Sequence, residues 1–108
     1  MLNIRLRVRY KMYIKIHESV KGRIVAVCDE DLVGKRFEEG DLVLDLSERF
    51  YKGETKKEEE ILRILKNEGN INLVGKNSIN FAINNQIIEK EHVKYIKKVP
   101  YAQVYNLK

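Results

Sequence analysis

The chain contains no tryptophan, one cysteine, one proline and only two histidines among its 108 residues. Each shortage excludes something. A single thiol, Cys28, cannot build an internal disulfide framework, and it cannot supply a cysteine zinc knuckle. His17 and His92 are too far apart in sequence to show ligand spacing, so no metal and no cofactor is expected. No apolar run approaches the length of a membrane span. The N-terminal stretch is broken by a charge at nearly every second residue and lacks the apolar core of a signal peptide, so a cytoplasmic location is expected. Abundant Lys and Glu beside scarce Cys match the composition of proteins from hot environments.

What the sequence has is charge, and the charge is segregated. The net value is +5. Residues 1–27 carry seven Lys/Arg against Glu18 alone, residues 28–68 carry eight basic against thirteen acidic residues, and residues 69–108 carry six basic against two acidic. Basic ends flanking an acidic middle would give a folded domain one positive surface, which attracts a polyanion. The competing reading is that ends and middle neutralise one another in surface ion pairs.

NIRLRVRYKMYIKIH, residues 3–17, alternates apolar residues (Ile4, Leu6, Val8, Tyr10, Met12, Ile14, Ile16) with Arg5, Arg7, Arg9, Lys11, Tyr13, Lys15 and His17. A period of two predicts a strand with one apolar and one basic face. RIVAVCD, 23–29, is a near-continuous apolar run suited to a buried strand, and the glycine between the two segments predicts a hairpin. DLVLDLS, 41–47, predicts a further antiparallel strand. Ser47 is placed to cap one turn carrying Phe50 and Tyr51, and Thr55 with Glu58 forms a capping box for a helix over 56–68. INLV, 71–74, reads as a strand. A second helix follows over 77–85 with Asn77 as its cap. VKYIKKV (93–99) and YAQVYNL (101–107) read as strands separated by Pro100.

The expected fold class is α+β: a mainly antiparallel sheet with two helices packed on one side. Residues 12–108 would form the single domain, and residues 1–11 a basic extension of its first strand. The apolar parity of residues 12–16 would pack on the first helix, with Phe37, Leu44, Ile61, Leu65 and Phe81 in one core.

CDEDLVGKRF (28–37), LVLDLSERFYKGE (42–54), NLVGK (72–76) and VPYAQV (99–104) together resemble, in order and spacing, an archaeal domain-of-unknown-function family, number 424. The resemblance covers about residues 12–108. It implies a shared fold but no reaction, since no activity is established for that family. Members of it begin near Met12, which sets residues 3–11 apart as an extension or an upstream start, and they usually carry His where this chain has Tyr101.

No catalytic triad, dyad or cofactor fingerprint is present, so an enzyme ranks last among three readings. Cys28 ends an apolar strand ahead of Asp29, Glu30 and Asp31, a setting that suits a buried structural thiol and disfavours a nucleophile. The DED run (29–31) reads as a solvated turn. LVGKNS (73–78) has a strand, a glycine and a helix start, as phosphate cradles do, but lacks the second glycine of a nucleotide loop. The most informative constellation is basic. Arg5, Arg7, Arg9, Lys11, Lys15, Lys97 and Lys98, interleaved with Tyr13, Tyr95 and Tyr101, are the expected nucleic-acid contacts, because cations hold phosphates and tyrosines stack on unpaired bases. The leading reading is an RNA-binding module associated with translation or RNA processing. The alternative is a protein-interaction module that dimerises or binds a partner through a sheet edge.

Overall fold

The protein is described here by a computed structural model, over residues 10–105. Arg5, Arg7 and Arg9, and with them most of the expected extension, lie outside the described residues. β1 (Met12–Ser19) and β2 (Gly22–Asp29) form the expected hairpin, in register from Met12 opposite Asp29 to Ser19 opposite Gly22. β3 (Arg36–Glu39) and β4 (Leu42–Asp45) follow, then α1 (Glu48–Tyr51), α2 (Glu58–Lys66), β5 (Asn70–Val74), α3 (Lys76–Asn84), β6 (Lys94–Ile96) and β7 (Val99–Tyr105). Single 3-10 turns occupy Glu30–Leu32 and Lys90–His92.

The main sheet has the order β1-β2-β5-β7-β6. Its pairs are antiparallel except β2 with β5, which run parallel. A parallel pair needs a long crossover, and here residues 30–69 supply it. The segment expected to add a third antiparallel strand therefore leaves the main sheet. β4 pairs instead with β3 in a separate two-stranded hairpin, with Phe37 opposite Leu44.

Alternation along β2 decides where the core sits. Val25 and Val27 point into one cluster with Met12, Ile14, Ile61, Leu65, Ile71, Leu73, Ile79 and Phe81. Ala26 and Cys28 point into a second, with Leu46, Tyr51 and Val74. Successive side chains of a strand project to opposite faces, so the two clusters lie on opposite sides of the sheet. The single core expected from the sequence is thus corrected. Ile61, Leu65 and Phe81 share the first cluster, whereas Phe37 and Leu44 pack half-buried against the second. Three α-helices form where two were expected, and the four-residue α1 covers the second cluster with the β3–β4 hairpin. The apolar parity of β1 holds through Ile14, while Ile16 is 37% exposed.

Two helix starts differ from expectation. Ser47 does cap α1, its side chain accepting from the Phe50 N–H. The Thr55–Glu58 capping box does not form, and α2 begins after Lys57 with no side-chain cap. The cause is Glu54, whose N–H and C=O both bond to Ile14 at 2.9 Å along the outer edge of β1. That bridge holds the chain extended where the box would have turned it. The second departure, at α3, creates part of the candidate site.

Candidate nucleic-acid interface

α3 starts at Gly75, whose φ of +106° and ψ of 159° lie in a region open essentially to glycine alone. Asn77 is not its cap. The carboxylate of Asp29, at the end of β2, accepts from the N–H of Asn77 at 3.0 Å and from the N–H and hydroxyl of Ser78 at 2.8 Å each. Asp29 is only 3% exposed, so the solvated turn expected for residues 29–31 begins one residue later. Burial pushes the Asp29 carboxyl above its ordinary range, while the donors of Asn77 and Ser78 pull it the other way. The phosphate cradle suggested by LVGKNS is thereby occupied. The helix amides already hold the protein's own carboxylate, and a second anion there would meet like charge.

What the Asp29 cap does achieve is to fix α3 against the sheet. Lys76 and Asn80 are exposed on α3, and Ile79 and Ile83 face the β6–β7 edge. The β6–β7 hairpin turns through Lys97 and Lys98, since Ile96 pairs directly with Val99. Pro100 is not the break between strands; it lies within β7, opposite Tyr95. Its carbonyl accepts from the Gly75 N–H at 2.8 Å. The N and O of one strand residue point to the same side, so the missing proline N–H falls where the chain turns away from β5 and no ladder bond is lost.

Between α3 and this hairpin lies a groove of about 480 Å3. Its floor is apolar, from Ile79, Ile83, Val93 and Pro100, and its rim carries Lys76, Lys90 and Lys98 beside Asn80. Tyr95 stands at the mouth, 62% exposed. None of the residues lining the groove is acidic.

The expected site residues divide between this groove and the opposite end of the sheet. Lys98 lines the groove, and Lys97 precedes it in the turn. Lys11 is exposed ahead of β1. Lys15 is half-buried, its ammonium donating to the Arg49 carbonyl. β1 and β6 are the two edge strands, four strand spacings apart, or about 19 Å. Lys15 and the Lys97–Lys98 pair therefore do not form one continuous patch. Nor is the odd-numbered face of β1 a bare basic surface, because α1 covers it. His17 Nε2 donates to the Phe50 carbonyl at 2.8 Å, and its ring stacks on Phe50 with centroids 4.2 Å apart. A second groove of about 450 Å3 follows that seam, lined by Lys15, His17, Ser47, Arg49 and Phe50.

Of the three tyrosines expected to stack on bases, Tyr13 and Tyr101 are half-buried, and Tyr101 packs against the second cluster. Tyr95 alone of these is open. Lys90 and Asn80 were not singled out from the sequence, and no local pattern marks them; Lys76 was visible only within LVGKNS. Cys28 is fully buried, and desolvation with the neighbouring Asp29 and Asp31 pushes its thiol up to about 12. Among the described residues no cluster of His, Cys, Asp and Glu is arranged to hold a metal ion.

The fold is similar to that of a crystal structure of an uncharacterized conserved protein from Methanopyrus kandleri, with a TM-score of 0.73 at 20% identity over 90% of this chain and 94% of that one. No curated protein matches the chain. The family described as Protein of unknown function (DUF424) matches residues 17–107, nearly the whole length. The order and spacing of the motifs thus reflect descent, and the chain belongs to the DUF424 family.

Proposed function

We propose that the protein is a single-stranded RNA-binding module that uses the groove between α3 and β6. One observation carries this reading: an exposed tyrosine, Tyr95, at the mouth of an apolar-floored groove rimmed by Lys76, Lys90 and Lys98, with no acidic side chain in its lining. Unpaired bases bind by stacking on aromatic faces while ammonium groups follow the phosphates. A duplex keeps its bases stacked inside and offers Tyr95 nothing to stack on, so single strands are the better fit. Lys11, Lys15 and the N-terminal Arg5, Arg7 and Arg9 would add charge without base preference. A cytoplasmic location is consistent with this role. Among the described residues no helix is long and apolar enough to cross a membrane.

The alternative, pairing with a partner through a sheet edge, has less in its favour. The outer edge of β1 already bonds to Glu54, and β6 is three residues long with the β3–β4 hairpin beside it. Both are features that blunt an edge.

Fluorescence anisotropy with a labelled single-stranded RNA of about 12 nucleotides, titrated across salt, tests the proposal. Binding should weaken steeply with salt, exceed that to duplex RNA, and fall on Tyr95→Ala by about 1–3 kcal/mol with the salt slope unchanged. Absence of binding at about 50 mM salt would remove the reading, and concentration-dependent dimers would then favour the edge.

A further inference from the structure

We infer that the Lys97–Lys98 turn is a phosphate clamp, in which a strained backbone is retained because it presents Lys98 to the groove with the exposed Lys97 next to it in the turn. The inference rests on the RNA-binding reading and specifies which part of the ligand the turn engages.

Ile96 opposite Val99 leaves a two-residue loop, and both loop residues have positive φ, +49° at Lys97 and +66° at Lys98. A two-residue hairpin with positive φ at both positions is the type I′ turn, whose preferred residues are Asn and Gly because side chains with a Cβ are disfavoured there. Lysine at either position is a local rule broken, and lysine at both is two. Packing does not account for it. Both lysines are exposed, and neither belongs to a hydrophobic cluster. Nor does a side-chain ion pair: no salt bridge among the described residues includes Lys97 or Lys98.

The turn is also held from outside. The carboxylate of Glu39, on β3, accepts from the Lys97 N–H at 3.3 Å, so the β3–β4 hairpin supports the conformation the two residues disfavour. Lys98 then lines the groove together with Tyr95, Pro100, Lys76 and Lys90. Ammonium groups at the rim of an apolar floor suit a nucleotide with its base on Tyr95 and its flanking phosphates at the rim. Strain of this kind is found where a site needs a particular presentation of side chains. The ligand class follows from the chemistry: a phosphodiester backbone carrying unpaired bases.

The test compares Lys97→Asn/Lys98→Gly with Lys97→Arg/Lys98→Arg and wild type, reading thermal midpoint and anisotropy on a labelled uridine oligomer of about 12 nucleotides. The Asn–Gly variant should melt about 4–8 °C higher, because its turn is unstrained, while its salt slope falls by about 1.4, the loss of two phosphate contacts. The arginine variant should keep the wild-type slope and gain no stability. Unchanged binding by the Asn–Gly variant, with wild type binding normally, overturns the clamp and leaves the groove reading standing. An unchanged or lower melting point overturns the claim of retained strain. If wild type binds no oligomer at low salt, the RNA-binding reading fails and the clamp fails with it.

Discussion

A Cβ built on Gly75 would lie 2.2 Å from Cγ of Asp29. The two residues are 46 apart in sequence, yet each sets the other's environment: the glycine leaves room for the carboxylate, and the carboxylate satisfies the helix amides that the glycine's turn exposes. Gly75→Ala should cost at least about 2 kcal/mol, from the φ of +106° alone and then from the clash. Asp29→Ala should cost about 2 to 4 kcal/mol, since it leaves buried donors of Asn77 and Ser78 without partners. The diagnostic quantity is their coupling. With the carboxylate gone the alanine no longer clashes, so the double variant should cost at least about 1 kcal/mol less than the sum of the singles. Urea denaturation of the four proteins measures it, and strict additivity would show that the contact does not limit stability.

The seam between β1 and α1 yields a second expectation. His17 and Lys15 both donate to carbonyls at the end of α1, where a helix of four residues has little of its own to hold it. His17→Ala removes one hydrogen bond and one ring stack, and should cost about 1 to 2 kcal/mol. The loss should be local. Hydrogen exchange should quicken at the amides of Tyr51 and Lys52, which bond back to Ser47 and Glu48, while β2 and β5 amides stay protected. Uniform acceleration across the sheet would mean that α1 is not a separable unit.

Cys28 and Tyr51 share the second cluster, and burial pushes both up to about 12, from 9.0 and 10.0 respectively. For an acid whose folded pKa is raised, the folded state is favoured below the unfolded value and loses that advantage as pH climbs toward the folded one. Stability should therefore be level up to about pH 9 and fall between pH 9 and 12. Cys28→Ala and Tyr51→Phe should each flatten that limb. Because the Cys28 thiolate is among the causes of the Tyr51 shift, the double variant should gain less than the two singles combined. Denaturation midpoints at several alkaline pH values provide the check. Native Cys28 should also resist thiol reagents at neutral pH and react once unfolded; fast native labelling would contradict its burial.

These relationships show which parts of the molecule could be read in its sequence. The β1–β2 hairpin, the two longer helices and the Ser47 cap were legible because each is written in adjacent residues: alternation, helical spacing, an oxygen ahead of a turn. Asp29 was misjudged because its partners lie some 48 residues on, and an acidic run with no visible partner reads as solvated. The Thr55–Glu58 box was misread for a related reason, since the bridge from Glu54 to Ile14 is a tertiary bond that overrides local capping preference. The β6–β7 turn carried no glycine or asparagine to announce it, and Pro100 offered a false signal beside it. Of the residues lining the candidate groove, Tyr95 and Lys98 stand out in the sequence, while Lys90 and Asn80 depend on how a helix and a hairpin meet. The positive ends were visible as charge, but the sheet order that places β1 and β6 on opposite edges was not.

The last expectation concerns the basic stretch that opens the chain. Arg5, Arg7 and Arg9 lie outside the described residues, but the point where a truncation must stop is set by Tyr10. Its ring packs edge-on against Phe81 at 5.5 Å, and its hydroxyl accepts from Asn84 at 2.7 Å. Deleting residues 1–9 spares both contacts, whereas removing Tyr10 as well loses them, so the longer deletion should melt lower than the shorter one. On the RNA-binding reading, the shorter deletion weakens affinity at low salt and reduces the salt slope by up to about 2, for three arginines each neutralising a phosphate of a single strand. Preference among homopolymers should not change, because phosphate contacts carry no base information and the stacking platform at Tyr95 is intact. Salt titrations of both proteins against uridine and adenosine oligomers separate the two effects. A changed base preference would place the N-terminal arginines on the bases themselves, and an unchanged slope would leave them no part in binding.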